Sequence, residues 1–389
     1  MGNRLFLDLA ASLPVSEAAV EAMREAAREG MGSPTAPHRE GRAARAMLDQ
    51  ARETMRELLG MSRAEQVIFT SGGTEAVHLA LGGTLARKGK GEGRVVVTAV
   101  EHPSVLAAGR SYAGEDGVRE VPCQPDGRVE WESVVGAVTE ATVLVAFQAA
   151  NVDSGVIHRH GSMGKECRRR GVVWLCDVQG LFGHEAVAWE AWEADFLVGT
   201  AHRFGGPKGC GFLAVREPER LVPLLGGGRQ EFGLRAGVEN LPGIVGMAVA
   251  AREACEQAEA RAAELREGQA QWLAALRSAI PGTRLLGPEP GPSRIPGHLA
   301  VRFEGVDAES LALMLDLRGV AIGVGSGCLS RHEKVSGVFR AMGMSDREAL
   351  GAVLIGVPRG WSREVLERTV AELARAVERV RGDQGVRNR

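Results

Sequence analysis

A glycine-rich stretch with the chemistry of an anion-binding turn stands at SGGTEAVHLALGG, residues 71–83. It follows an apolar run and opens a predicted helix, so Gly72 and Gly73 leave backbone N–H groups open to an anion. Thr74 adds a hydroxyl, and the helix N-terminus adds a partial positive charge. A plain tight turn fits the same pattern equally well. The stretch therefore indicates a phosphate site only if other features support one.

Two further titratable residues follow apolar runs. His102 stands in VEHPSV (100–105) and Asp177 in LCDVQG (175–180). Taken alone, the histidine pattern favours a surface or helix-capping residue. A carboxylate at the end of a strongly apolar run is costly to bury without a cationic partner. Asp177 is therefore predicted to serve a functional site.

A thiol and a guanidinium complete the residues that could do chemistry. Cys328 lies in SGCLSRHEK (326–334), a stretch with glycine and serine before the thiol. Packing explains a thiol in a polar loop poorly, which favours a nucleophile or a sulfur carrier. Arg203 stands in GTAHRFGGPKG (199–209), where an apolar strand runs into a glycine-rich turn. A guanidinium supplies a fixed charge there but is not a nucleophile at physiological pH.

Short apolar runs separated by helical stretches must position these side chains. Many of their residues are β-branched, and the runs are VIFT (67–70), RVVVTAV (94–100), TVLVAF (142–147), VVWLCDV (172–178) and DFLVGTA (195–201). Amphipathic stretches lie between or before them, as at 14–30 and 42–60, each closed by a glycine. This alternation predicts an α/β fold, with a mostly parallel sheet covered by helices on both faces.

The length of 389 residues suits two domains. A helical stretch rich in Ala, Glu and Arg runs from Leu241 to about Ile280, and a proline- and glycine-rich break and new apolar runs follow it. We predict a large domain over residues 13–260 and a smaller α+β domain over 1–12 and 261–389. The N-terminal segment is thus expected to pack on the second domain.

Composition excludes several classes of function. A net charge of -2 gives no electrostatic basis for binding nucleic acid or an anionic membrane. No apolar run reaches the ~20 residues of a membrane span. The 6 cysteines show no CxxC spacing, so neither a metal site nor a disulfide framework is predicted. The chain starts without the apolar core of a secretion signal, and a cytoplasmic location is expected.

Taken in order, these features resemble the cysteine desulfurases, which are class V aminotransferases within the fold-type I pyridoxal-phosphate (PLP) enzymes. FLDLAASLPV resembles the family's YLDNAATTPV, VIFTSGGTEA its phosphate-loop motif and VEHPSV its ring-stacking histidine motif. GLRAGVENLPGIVG resembles GLRSGTENVPGIVG, and VGSGCLS followed by VFRAMGMS resembles the SGSAC loop and its AMG segment. The likeness covers nearly the whole chain.

The resemblance implies the fold-type I fold, whose large domain has a mostly parallel seven-stranded sheet flanked by helices, and a homodimer with the site at the subunit interface. In such enzymes a lysine binds PLP as a Schiff base. The loop cysteine, here Cys328, takes sulfur from L-cysteine as a persulfide and passes it to an acceptor protein. Thr74 and His202 would hold the phosphate, and His102 would stack on the ring. The cofactor-binding positions carried over are Gly73, Thr74, His102, Asn151, Asp177, Gln179, Thr200 and His202.

The sequence departs from the family pattern at four positions. Arg203 stands where the S-x-H-K motif has the Schiff-base lysine and cannot form that bond. Leu354 replaces the arginine that clamps the substrate carboxylate, Val238 the threonine that reaches the partner's phosphate, and Gly180 the glutamine of D-x-x-Q. Gln179 stands one residue early and would face elsewhere in a strand. Any PLP is therefore expected to bind non-covalently, and binding of none is an alternative.

Three functions remain open. The first is a repurposed enzyme, biosynthetic or sulfur-handling, that binds a small anionic or amino-acid-like ligand, with Cys328 as nucleophile, His102 as acid or base and Arg203 as a fixed cation. The second is a non-catalytic protein that docks on sulfur-transfer partners. The third is residual desulfurase chemistry with non-covalent PLP. Asp177 favours the first, because a buried carboxylate is hard to explain in a pocket that binds nothing.

Overall fold

The computed structural model describes residues 4–88, 93–325 and 335–387. The helices are α1 (Glu17–Glu29), α2 (Arg39–Leu58), α3 (Gly73–Ala86), α4 (Pro103–Ala113), α5 (Trp131–Gly136), α6 (Met163–Arg169), α7 (Trp189–Trp192), α8 (Leu241–Glu256), α9 (Ala258–Ala279), α10 (Ala308–Asp316), α11 (Gly337–Ala341), α12 (Asp346–Ala349) and α13 (Arg363–Arg387). The strands are β1 (Leu5–Phe6), β2 (Val67–Thr70), β3 (Arg94–Thr98), β4 (Val118–Val121), β5 (Thr142–Ala146), β6 (Val173–Asp177), β7 (Phe196–Thr200), β8 (Gly211–Val215), β9 (Thr283–Leu286), β10 (His298–Phe303), β11 (Val320–Ala321), β12 (Gly323–Val324) and β13 (Ala352–Gly356).

The larger sheet has seven strands in the order β2-β8-β7-β6-β5-β3-β4. The pairs from β7 through β6, β5 and β3 to β4 are all parallel. In this sheet only β8 runs against its neighbours, pairing antiparallel with both β2 and β7. The predicted α/β fold with a mostly parallel seven-stranded sheet is confirmed.

Helices cover both faces of this sheet. Along β3, Val96 packs into a core that includes buried residues of α2 and α8. Its neighbours Val95 and Val97 point to the other face, into a core that includes buried residues of α3 and α4. Because both faces are buried, the strands are continuous apolar runs rather than alternating ones.

A second, four-stranded sheet forms in the order β12-β13-β10-β9, and its pairs are antiparallel. Residues of α9, α10 and α13 share its core. The N-terminal strand β1 pairs in parallel with β11, and Leu7 is fully buried in the same core. The predicted long helix is two helices, α8 and α9, which meet at Gln257. The domain boundaries themselves stay a prediction.

No helix within the described ranges is both long and apolar enough to cross a bilayer. The same ranges hold no group of three or more His, Cys, Asp and Glu placed to bind a metal ion.

Candidate active site

The carboxyl ends of parallel strands bring the predicted residues to one edge of the large sheet. β2 leads into Gly72–Thr74, β3 leads to His102, and β5 leads to Asn151. β6 ends on Asp177, and β7 continues into Thr200–Arg203. Open α/β sheets bind their ligands at this edge, where neighbouring connections leave in opposite directions.

The turn before α3 depends on both of its glycines. Gly72 has φ +156°, which a residue with a side chain rarely adopts. A Cβ on Gly73 would lie 2.5 Å from the side-chain amide of Gln179. Thr74 is exposed in the first turn of α3, where backbone N–H groups lack partners within the helix. The turn therefore keeps the features of an anion site.

His202 lies beside the hydroxyl of Thr200 on a single 3₁₀ turn. The Thr200 Oγ1 is 3.1 Å from His202 Nδ1 and 3.3 Å from the carbonyl oxygen of Cys210. Burial, together with the charges of Arg203 and Lys208, lowers the pKa of His202 to about 4. The ring is therefore neutral at neutral pH, and an anion bound beside it would favour its protonated form.

His102 caps helix α4, as the capping interpretation of the sequence has it. Its Nδ1 accepts a hydrogen bond from the Ser104 N–H at 3.2 Å and lies 2.7 Å from the Ser104 hydroxyl. This contact places the proton of the neutral ring on Nε2. Burial and the charge of Arg203 lower the pKa of His102 to about 4. At neutral pH the ring can stack or donate from Nε2, but it is a weak base.

Asp177 is 4% exposed and is held by the residue two positions after it. The side chain of Gln179 donates from Nε2 to Asp177 Oδ2 at 2.8 Å, and its backbone N–H donates to Oδ1 at 2.8 Å. Burial raises the pKa of Asp177 to about 6, although these bonds and Arg203 act to lower it. Because β6 ends at Asp177, Gln179 lies in a turn and faces the site, contrary to the expectation for a strand.

Asn151 is 3% exposed and serves mainly the local backbone. Its Nδ2 donates to the carbonyl oxygen of Val100 at 2.8 Å. Its Oδ1 accepts from the backbone N–H of Ser154 at 2.7 Å and from the Ser154 hydroxyl at 2.9 Å. These contacts use one of its two amide hydrogens, so its capacity to bind a ligand is small.

Sequence reasoning missed Glu101, which is 2% exposed. Its Oε1 accepts from the Thr98 hydroxyl at 2.7 Å and from the Gln148 N–H at 3.0 Å. Burial raises the pKa of Glu101 to about 8, so the carboxyl is protonated at neutral pH. The signal that singled out Asp177, a carboxylate after an apolar strand, was also available here.

Arg203 is the cation of the site. Its charge lowers the pKa of His102 and of His202 and acts on the buried Asp177. It therefore lies within electrostatic reach of predicted residues from three strand ends. A protonated guanidinium at this point can hold an anion but cannot form a Schiff base.

The structure also shows the surroundings of the other three positions at which the sequence departs from the family pattern. Leu354 is 7% exposed in β13 and belongs to the large core. Val238 is 73% exposed. A Cβ on Gly180 would lie 2.7 Å from the carbonyl oxygen of Ala150, so position 180 has no room for a side chain unless the backbone shifts.

Cys328, the predicted nucleophile, lies outside the described residues, in 326–334. Gly325 and Val335, the residues on either side of that range, line one cavity together with His102 and Asn151. Both ends of the cysteine segment are therefore at the candidate site.

The described residues fit a phosphate-bearing ring that is bound without a covalent bond. The turn at Thr74 and the neighbouring His202 suit a phosphate, and Asp177 suits a protonated ring nitrogen. Arg203 offers no amine for a Schiff base. Gln179 already donates to the carboxylate that such a nitrogen would use.

Comparison with known proteins places the chain in a family. The class V aminotransferase model matches residues 5–345. The chain is 32% identical over 383 residues to a cysteine desulfurase of Enterobacter agglomerans, covering 97% of this chain and 94% of that protein. It is 31% identical over 386 residues to the cysteine desulfurase IscS of Dictyoglomus turgidum, covering 98% and 96% respectively. A solved NifS-like protein has a TM-score of 0.85 at 28% identity, covering 97% of this chain and 100% of that one.

The chain belongs to the class V aminotransferases. Within them it is a homologue of the cysteine desulfurases over nearly its full length.

Proposed function

We propose that this chain is a cysteine-desulfurase-like enzyme that works without a lysine-bound cofactor. It holds a small anionic or amino-acid-like substrate at Arg203 and acts on it through the thiol of Cys328. The observation that carries the proposal is the reach of the Arg203 charge to His102, His202 and Asp177.

Arg203 is assigned the binding of the substrate anion. A guanidinium presents paired N–H donors that match a carboxylate or phosphate, and such charge-assisted bonds are about twice as strong as neutral ones. The neighbouring His102 and His202 are neutral at neutral pH, because burial and Arg203 lower the pKa of each to about 4. The anion therefore meets the fixed charge of Arg203 beside two uncharged rings.

His102 is assigned a hydrogen bond to the substrate rather than the removal of a proton. With Nδ1 bound to Ser104, its Nε2–H is the group free to donate. A ring whose pKa is about 4 is a poor base at pH 7 but a good neutral donor. The carboxylate of Asp177, with a pKa of about 6, is mainly ionised at that pH and can orient a cationic substrate group.

Alkylation of the native protein tests Cys328 as the nucleophile. Burial raises the pKa of every cysteine in the described ranges, which reduces their thiolate fraction at pH 7. These are Cys123, Cys167 (about 12), Cys176 (well above its usual value), Cys210 (about 11) and Cys255 (about 11). Iodoacetamide should therefore label Cys328 first, and Arg203→Gln should slow that labelling, because a neighbouring cation stabilises a thiolate. Mass mapping of the labelled peptides gives the rates.

Equal labelling rates at Cys328 and at the half-buried Cys123 and Cys255, or an unchanged rate at Cys328 in Arg203→Gln, would contradict the proposal. Cys123→Ser is a matched control, since Cys123 is a half-buried thiol that has no role in the proposed function. It should leave labelling of Cys328 unchanged. A chain that docks on sulfur-transfer proteins without catalysis would show neither rapid alkylation of Cys328 nor a change in that rate in Arg203→Gln.

A second candidate is cysteine desulfuration with non-covalent PLP, favoured by the fit of Thr74, His202 and Asp177 to such a group. PLP bound there would supply an electron sink for the substrate. Absorbance spectra with PLP and then L-cysteine, with assays for alanine and sulfide, test it. Saturable binding with both products would support this candidate, and no product at saturating PLP would exclude it.

We also propose a homodimer that meets a sulfur-acceptor protein. Exposed apolar side chains gather in the segment 225–238, where Leu225, Phe232 and Val238 are 52%, 47% and 73% exposed. Clustered exposed apolar side chains are typical of protein interfaces. Sedimentation of the wild type and of Val238→Asp should show a dimer that the charge weakens.

A further inference from the structure

A second cavity adjoins the candidate active site between the turn after β6 and helix α9. It has a volume of about 90 Å³ and is bounded by Val152, by parts of five segments, residues 9–13, 179–184, 203–204, 295–298 and 356–359, and by α9. Its lining does not include His102, although Gln179 belongs to it. The cavity therefore adjoins the candidate active site and shares Arg203 and Gln179 with it.

The charged groups in this lining are all cationic. Arg203, Arg261 and Arg359 line the cavity, and among the described residues no Asp or Glu does. We call it the arginine cavity. The rest of the lining is mostly apolar, with His184 and His298 as its imidazoles. Apolar walls of low dielectric strengthen the attraction of these charges for an anion.

Arg261 and Arg359 repel each other across this space. Burial and then the charge of Arg359 lower the pKa of Arg261. Arg261 donates to the carbonyl oxygens of Gly183 and Ala254, and Arg359 to the side-chain oxygen of Gln257. These partners are neutral, and the buried Nε of Arg261 has no hydrogen-bond partner in the described part of the chain. Two like charges held close together repel each other. An anion bound between them would make the electrostatic energy of the group favourable.

The two imidazoles add no charge. Burial, with the charges of Arg261 and Arg266, lowers the pKa of His184 to about 4. Burial, with Arg294 and a smaller effect of Arg203, lowers the pKa of His298 to about 3. Both rings are neutral at neutral pH, so the positive charge of the cavity is that of its guanidinium groups.

We propose that the arginine cavity binds a small monocarboxylate, with the carboxylate held by Arg261 and Arg359 and a short apolar chain against Leu265 and Phe204. Its size supports a short chain, because a cavity of about 150 Å³ takes the six carbon atoms of benzene and about 90 Å³ on the same scale takes about four non-hydrogen atoms, enough for the three carbon atoms of propionate. Arg261 and Arg359 take no part in the proposed function. The proposal therefore concerns different anion contacts, although Arg203 and Gln179 line the cavity as well.

Calorimetric titration of the full-length protein with propionate, at constant ionic strength, tests the proposal. Propionamide and propylamine have the same chain without the negative charge and should not bind. Arg261→Gln should weaken propionate binding about tenfold or more, since it removes a charge-assisted contact. Arg359→Gln should weaken it less, because Arg359 is exposed and Arg261 is half-buried.

A control variant and a second measurement complete the test. Arg363→Gln removes an exposed arginine that pairs with Glu367 and should leave binding of propionate unchanged. The rate at which iodoacetamide labels Cys328 should be the same in Arg359→Gln as in the wild type, which separates this site from the proposed function. Arg261 contacts two carbonyl groups, so its variant can lose stability; the exposed Arg359→Gln then decides. Equal binding of propionate and propionamide, or equal affinity in Arg359→Gln and Arg363→Gln, would overturn the proposal.

Discussion

Replacing Gln179 with alanine is expected to tighten the binding of PLP. In the structure, the amide of Gln179 donates to Asp177 Oδ2 at 2.8 Å and lies against Gly73 of the turn before α3. A protonated ring nitrogen that reaches Asp177 must displace this amide. Its removal frees the carboxylate and opens the space in front of the glycine turn.

The magnitude follows from the bond that is removed. A hydrogen bond to a charged acceptor contributes about 1.5–3 kcal/mol net. If PLP no longer has to break it, the dissociation constant falls about tenfold to a hundredfold, at about 1.4 kcal/mol per factor of ten. The backbone N–H of residue 179 still donates to Asp177 Oδ1, so the carboxylate stays ionisable in the variant.

Titration with PLP, followed by absorbance and by quenching of tryptophan fluorescence, measures the effect. Gln124→Ala is the control, because Gln124 donates to Glu130 at an exposed position and should leave the affinity unchanged. Weaker or equal binding of PLP in Gln179→Ala would refute the reasoning. That result would make the amide a cofactor contact, as the family resemblance implies, rather than a competitor.

Three other variants test the charges of the site and its surroundings. Arg203→Lys should show a visible absorbance band of bound PLP that borohydride abolishes by reducing the Schiff base, because only lysine can deprotonate and attack the aldehyde. The wild type and Arg203→Gln should show no such band. The raised pKa of Glu101, about 8 against 4.5 when unfolded, favours the folded state most below pH 4.5, and this contribution is lost as pH rises to 8. Between pH 6 and 9, the free energy of unfolding in urea should therefore fall by about 3 kcal/mol more in the wild type than in Glu101→Gln. His158 has the opposite sign, because burial lowers its pKa to about 3, and its contribution is lost as pH falls below 6.5. Between pH 7 and 5, the free energy of unfolding should therefore fall by about 2 kcal/mol less in His158→Phe than in the wild type.

The strands of the large sheet show what a pattern of apolar residues can and cannot predict. The five apolar runs quoted from the sequence each contain an observed strand, because burial on both faces requires continuous apolar residues. β4 (VREV) escaped this reasoning, since it is an edge strand with Arg119 and Glu120 exposed. β8 (GFLAV) is as apolar as the others but follows a glycine-rich turn directly. The total of seven strands came only from the family resemblance.

The candidate site was predictable in its residues and less so in its contacts. The strand ends could be located from the sequence, and with them the positions of His102 and Asp177. The contact between Gln179 and Asp177 depends on the strand ending at residue 177, and strand ends are the least certain part of such a prediction. The break between α8 and α9 at Gln257 could not be predicted from the sequence either, because the residues on both sides of it have helical composition.

The contacts of Gln179 give a structural reason for the glycine at the next position, Gly180. A buried carboxylate such as Asp177 needs a donor, and the resemblance implies that PLP supplies one in the family. Here Gln179 supplies two hydrogen bonds to it, while Gly180, at the position of the family's glutamine, faces the Ala150 carbonyl with no space for a side chain. Moving the amide by one residue therefore gives Asp177 a partner from its own chain. A pocket arranged in this way can keep its buried carboxylate whether or not a cofactor is bound.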